Sequence, residues 1–350
     1  IIHLVKKHSF MYNNTKMKEC FIMKRKNVTF GNYMYNWYMI YKYPKHEITT
    51  RNVCLTYINI HVKPSNIGRK FIQNLSTRDV QEFLSNLLQY GNKSILCTKK
   101  KGLSNWTVNK IRSLIISCLN QAVRENIVKE NVASYTENIR IINVPKNVFT
   151  KEQQVLFLNN SKNYRYHLAY ELLFFTGTRR SEILGLSWDK VNFHNNTIFI
   201  SQVLVVINNK PKLKAIPKNK SSIRVIPLPQ ELMNKLLILK KEQEEYFSKH
   251  KYTNMYNLVF CTKKGDVYNP NNLLQNMKKR LKRLGLPKDL HIHSTRHTFA
   301  TNLIHNKVAI VDIQKLGGWA NPDILLNLYA HTLQECQIKA IDELYANFKK

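Results

Sequence analysis

Acidic residues are scarce in this 350-residue chain: 22 Asp and Glu stand against 55 Lys and Arg, a net charge of +33 (55 − 22). An excess of that size repels itself and attracts phosphates, so a nucleic acid is the expected partner, with a merely solvated basic surface as the alternative. Codon bias in an AT-rich genome favours Lys, but it does not suppress Asp and Glu. Cysteine is also sparse. The six residues Cys20, Cys54, Cys97, Cys118, Cys261 and Cys336 include no C-x-x-C pair, so neither a disulfide framework nor a zinc site is expected, and a reducing compartment fits. No apolar run approaches the roughly 18 residues of a membrane span, and no membrane partner is expected. There is no internal repeat and no long low-complexity tract. The first residue is Ile1, not Met, and the chain is read as an excerpt or a processed form, with a targeting segment left open.

What is present begins with a hydrophobic fraction of 43%, enough for real cores, over a length that suits two or three domains. Residues 1–28 carry seven cations (Lys6, Lys7, Lys16, Lys18, Lys24, Arg25, Lys26) and one acid, Glu19; they read as a flexible arm, a fragment of a small DNA-binding module, or a disordered tail. Residues 29–134 read as helical. Ser76-Thr77-Arg78-Asp79 opens one helix, with Val80, Phe83, Leu84, Leu87 and Leu88 at helical spacing. A longer helix over 104–125 repeats Val108, Ile111, Ile115, Cys118, Leu119 and Ala122 at three and four. Lys99, Lys100 and Lys101 precede it, and Lys110 and Arg112 lie along it. Phosphate contact is expected there, against the alternative of solvated lysines. Residues 135–150, polar and then extended up to Pro145, read as a linker.

Residues 151–350 read as an α+β domain. Helices are expected over 151–160, 164–175 and 230–248, a strand over 197–207, and a second strand over 224–228. A further helix over 272–284 carries Lys278, Lys279 and Arg280 as candidate DNA contacts. The chain closes on an apolar stripe, Ile338, Ile341, Leu344, Tyr345 and Phe348, which suits packing on a neighbouring subunit or within the same one.

Five residues in this second part match the needs of one reaction, the attack of a tyrosine on a phosphodiester. The transition state gathers negative charge on the non-bridging oxygens, and fixed cations must meet it. Arg179 and Arg296 offer planar forks that pair with phosphate oxygens. Lys218 can protonate the leaving sugar oxygen, and Lys220 competes for that role. His293 can exchange a proton with the phenol or brace the phosphate, and Tyr329 is the candidate nucleophile. Singly, each has a bland reading as a surface pair or a core residue; the order and local motifs make the set specific.

Those motifs carry a resemblance. Thr176-Gly177-Thr178-Arg179-Arg180-Ser181-Glu182, then Lys218 with Ser222, Arg224, Ile226, Pro227 and Leu228, then His293-Ser294-Thr295-Arg296-His297-Thr298-Phe299-Ala300, then Gly317-Gly318-Trp319 and Tyr329-Ala330-His331 resemble the boxes of the tyrosine recombinases, the phage integrase family. The likeness spans 29–350 and is close to integrases of conjugative transposons and temperate phages. It implies a mainly α fold with a small antiparallel β-sheet: a helical, SAM-like core-binding domain at 29–134, then an α+β catalytic domain at 151–350. It implies that Glu182 supports the site, and that Trp319, standing where most relatives have His, donates a hydrogen bond and packs, or only packs. It implies a site-specific DNA recombinase or integrase that works without cofactor, metal or ATP, through a 3′-phosphotyrosyl intermediate. The implied partners are double-stranded DNA core sites, a homotetramer on paired sites, and optional accessory DNA-bending proteins. A bacterial nucleoid fits, as does the nucleus or a DNA-containing organelle of a eukaryote. A type IB topoisomerase, a DNA-binding protein that has lost catalysis, and a basic structural or RNA-associated protein remain as alternatives.

Overall fold

The computed structural model describes residues 28–93, 101–141, 147–207, 210–215, 222–328, 341–342 and 344–348. Residues 1–27, Lys99, Lys100, Lys218, Lys220, Tyr329, His331 and Ile338 lie outside the described residues. The chain divides into two compact units, Ile1–Asn143 and Val144–Lys350.

The described part of the first unit is helical. Helix α1 (Phe30–Trp37) buries Phe30, Tyr33, Met34 and Trp37 at spacings of three and four, then winds on through a wider π turn over Tyr38–Lys42. Helix α2 (Ile48–Thr56) likewise runs into a π turn over Tyr57–Val62, and α3 (Asn66–Arg69) is one short turn. Helix α4 (Thr77–Tyr90) starts where the sequence predicts. The Ser76 hydroxyl accepts from the Asp79 N–H and the Asp79 carboxylate accepts from the Ser76 N–H, a reciprocal cap of two orphan donors. Helix α5 (Asn105–Arg124) begins at Ser104, whose hydroxyl accepts from the Thr107 N–H, and it buries all six residues of its predicted apolar stripe. Residues 135–141, which read from sequence as the start of a linker, are bound back onto α5. The Asn105 and Asn109 amides donate to the carbonyls of Arg140 (2.9 Å) and Ile139 (2.6 Å). Partners supplied by another element leave no trace in local periodicity.

The second unit opens on α6 (Lys151–Asn159), capped by Thr150 and Gln153, and α7 (His167–Thr176), whose Leu172, Leu173 and Phe174 are all buried. Burial of side chains this size contributes about 1.5–3 kcal/mol each. Helix α7 stops at Gly177, which takes a left-handed conformation (φ 60°); a Cβ there would lie 2.3 Å from Phe299 Cδ1, so only glycine fits. A single turn, α8 (Arg180–Ile183), follows.

The stretch 197–207, expected as one strand, is two. Strands β1 (Val191–Asn192), β2 (Thr197–Ile200) and β5 (Arg224–Pro227) form one antiparallel sheet in the order β1-β2-β5, with Ile198 opposite both Val191 and Ile226. Strands β3 (Gln202–Ile207) and β4 (Lys210–Ala215) form a separate hairpin. The chain changes sheets at Ser201. Just beyond it the Gln202 amide donates to Gly185 O (2.7 Å) and Ser187 Oγ (3.3 Å), pulling β3 onto the turn after α8. Helices α9 (Gln230–His250), α10 (Pro270–Arg283), α11 (Ile292–His305), α12 (Ile310–Gly317) and α13 (Asp323–Leu328) follow, and the described residues 341–342 and 344–348 are also helical. A large core joins α7, both sheets, α9 and α10, and a smaller cluster of Phe299, Ala300, Ile304, Ile313, Trp319 and Leu325 lies under α11 to α13.

Candidate active site

The two arginine boxes meet at one place, the C-terminal end of α12. The last carbonyls of a helix have no partners within it and carry the negative end of its dipole, so guanidiniums are apt caps. Three consecutive carbonyls here each accept from a different arginine. Arg224 Nε donates to Leu316 O (2.7 Å), Arg296 Nη1 to Gly317 O, and Arg179 Nη2 to Gly318 O (3.3 Å). Arg296 Nη1 also donates to Gly177 O (2.6 Å), so it caps the end of α7 as well. The left-handed turns at Gly177 and Gly318 (φ 70°) present these carbonyls.

Arg179 stands at the start of α8, with 38% of its side chain exposed. Its N–H donates to Glu182 Oε2 (2.9 Å) and its Nη1 to Glu182 Oε1 (2.7 Å). Glu182 is 2% exposed and also accepts from Arg224 Nη2 at 2.9 Å. Burial alone would raise its carboxyl; Arg224 first, and then Arg179, outweigh burial and hold it below the usual glutamate range. Arg296 is 2% exposed, and its guanidinium carbon sits 3.7 Å from the centre of the Trp319 ring. Trp319 is itself buried and lies over Gly317, where a Cβ would come within 1.7 Å of ring atom Cζ3. Stacking of a desolvated cation on an indole is worth roughly 2 kcal/mol. His293 lies in the first turn of α11, exposed, with its ring edge-on to that of buried His297 at 5.2 Å. That turn is held by Ser294, whose hydroxyl accepts from the His291 N–H (3.3 Å).

The structure thus brings together Arg179, Glu182, Arg296 and Trp319. Lys218 and Tyr329 lie outside the described residues, and Tyr329 is next in sequence after α13. Sequence reasoning assigned no role to Arg224, although it stands in the lysine motif; its alternation with Ile226, which puts both on the inward face of β5, was the available signal.

The candidate DNA contacts separate into two groups. Lys101, Lys110, Lys278 and Lys279 are exposed, with the Lys110 ammonium 5.2 Å from the centre of the exposed Trp106 ring. Arg112 and Arg280 are engaged internally. Arg112 donates to Thr136 Oγ1 (2.8 Å) and Thr136 O (2.6 Å). Arg280 is 7% exposed, donates to Asn160 O (2.7 Å) and lies over the Tyr164 ring. Its helical spacing from Leu273 and Met277 places it on the buried face, whereas Lys282 and Arg283 are exposed.

Residues 147–335 match the model of the phage integrase family. The XerC-like tyrosine recombinase of Caldanaerobacter subterraneus subsp. tengcongensis is 27% identical over 340 residues, covering 91% of this chain and 83% of that one. Among solved structures, the Tn1549 transposon integrase in complex with transposon right end DNA superposes with a TM-score of 0.75 at 20% identity, covering 91% of this chain and all of that one. The lambda integrase tetramer bound to a Holliday junction gives 0.58 at 14% identity, covering 85% and 78%. At those identities the structural likeness speaks for the fold. The chain belongs to the phage integrase family, and its enzymatic class is that of the site-specific tyrosine recombinases. No helix among the described residues is long and apolar enough to cross a membrane.

Proposed function

We propose that this enzyme cuts and rejoins duplex DNA through a 3′-phosphotyrosyl intermediate on Tyr329, with neither metal nor ATP. The supporting observation is the junction of Arg179 and Arg296 on the carbonyls of Gly318 and Gly317 at the end of α12, eleven and twelve residues before Tyr329 in sequence. The Tyr329 phenol attacks the scissile phosphorus and passes its proton to His293. The bond from phosphorus to the 5′-oxygen breaks, and Lys218 protonates that oxygen. Arg179 meets the non-bridging oxygens from the exposed side. Arg296, buried beside Trp319, adds positive charge in a medium of low dielectric, where it acts strongly. Trp319 packs beneath Arg296 and offers its indole N–H to the phosphate. In the second step a 5′-hydroxyl attacks the phosphotyrosine and releases the phenol, so one phosphoester replaces another and no external energy is needed.

The Tn1549 integrase bound to transposon right end DNA and the lambda integrase dimer bound to a core site, which share the fold, support core sites on duplex DNA as the substrate. The lambda integrase tetramer supports four copies on paired sites. The exposed apolar residues Ile341, Leu344, Tyr345 and Phe348 would then pack on a neighbouring copy. Lys101, Lys110, Lys278 and Lys279 take phosphate contacts, while Arg112 and Arg280 are left out of that set. The test is a nicked suicide duplex bearing the core site, incubated with the enzyme in EDTA. The wild type should become covalently linked to DNA and Tyr329→Phe should not. No adduct from the wild type, or an adduct from Tyr329→Phe, would overturn the mechanism.

A further inference from the structure

Arg224 takes no part in the reaction set out above, yet it is 8% exposed and donates three hydrogen bonds. These run from Nε to Leu316 O (2.7 Å), from Nη2 to Glu182 Oε2 (2.9 Å) and from Nη1 to Ser222 O (3.3 Å). Given the phosphotyrosyl reading, on which this inference rests, we propose that Arg224 is a positioning residue for strand cleavage: it offsets the Glu182 carboxylate and fixes the 316–319 turn, so that Arg179 keeps its charge for the phosphate.

Charge is the first ground. Three guanidiniums and one carboxylate leave a net +2 at the end of α12 (3 − 1). Without Arg224 the sum is +1, and the remaining carboxylate is matched by Arg179 alone at 2.7 Å. Glu182 is too buried for water to replace the lost partner, so its demand falls on the one arginine that is still exposed. Geometry is the second ground. The carbonyl that Arg224 holds, Leu316, immediately precedes those held by Arg296 and Arg179. Releasing it loosens the acceptors that orient both of those arginines. The third bond, to Ser222, ties the segment entering β5 to the same point, and Lys218 lies four residues before Ser222 in sequence. One side chain therefore links the lysine motif, the first arginine box and the Trp319 turn.

The test uses Arg224→Gln and Arg224→Lys in the full chain, each also combined with Glu182→Gln. Four quantities are read: single-turnover adduct formation at saturating nicked duplex, affinity for intact duplex, thermal midpoint, and the effect of the second substitution. Cleavage in Arg224→Gln should fall on the order of 10- to 100-fold, the cost seen when the outer partner that orients a metal ligand is lost, here carried over to an oriented arginine. Duplex affinity should hold, and Arg224→Lys, which keeps the charge, should recover part of the rate. Glu182→Gln should cost much less in the Arg224→Gln background than it does alone, because the two residues act as a unit. A wild-type rate in Arg224→Gln, or matched losses of affinity and rate, would overturn the inference. So would full additivity with Glu182→Gln. If Arg224→Gln does not fold, Arg224→Lys carries the test, and failure of both to fold would assign the residue to stability alone. An enzyme whose wild type forms no adduct instead removes the phosphotyrosyl reading and this inference with it.

Discussion

One added methyl group, in Gly317→Ala, tests the packing that holds Arg296. On backbone grounds alone the change should help, since alanine in place of glycine within a helix gains about 1 kcal/mol. Gly317 is the last residue of α12 and has no positive φ to forbid it. The side chain decides otherwise. The new Cβ would sit 1.7 Å from Trp319 Cζ3 and 2.3 Å from Cε3, so the ring must retreat by roughly 1.8 Å to reach an ordinary contact near 3.5 Å. That displacement takes the indole from its 3.7 Å contact with Arg296 and forces it against Ile304, Ile313 and Leu325. Overpacking costs about 1–3 kcal/mol and the lost stack about 2 kcal/mol, so after the backbone gain the net loss is about 2–4 kcal/mol. Thermal or urea unfolding reads it directly, at about 2–4 °C of Tm per kcal/mol for a unit of this size. Adduct formation should fall further than stability predicts, because Arg296 is left without its support. A variant as stable as wild type, with unchanged cleavage, would refute the idea that Trp319 is fixed between Gly317 and Arg296.

Two further outcomes follow from the same geometry. The Glu182 carboxyl is held below 4.5, its ordinary value, so its ion pairs contribute stability that is complete above 4.5 and is lost as pH falls through the lowered folded value; Glu182→Gln should flatten the acid limb of denaturant midpoints measured from neutral pH downward, and an unchanged limb would mean that the pairs contribute nothing. Arg280→Met should lower the unfolding midpoint while leaving duplex affinity intact, whereas Lys278→Ala or Lys279→Ala should leave stability alone and reduce the salt slope of binding by about one each; the reverse pattern would restore Arg280 as a DNA contact.

Much of this protein is legible in its sequence. The stripe from Val108 to Ala122 and the Ser76–Asp79 cap predicted their helices because both depend on neighbours within one or two turns. The family was legible too, since the arginine boxes are contiguous motifs. The described residues of 29–134, most of them helical, fall within the first compact unit and the arginine boxes within the second. Less legible were features whose cause is distant in sequence. The strand at 197–207 breaks because Gln202 reaches back to Gly185, and residues 135–141 are bound by asparagines of α5.

At the site the division has the same basis. Sequence alone determined which residue types are available: two boxed arginines, a histidine, a lysine motif, a tyrosine and very few acids to oppose them. Only the tertiary structure decided that three arginines cap one helix end, that Glu182 is shared between two of them, and that Arg280 is spent inside the unit. A guanidinium reads the same in sequence whether it meets solvent, a phosphate or a buried carbonyl. Which of these it meets depends on where the chain places acceptors that lie far away along it.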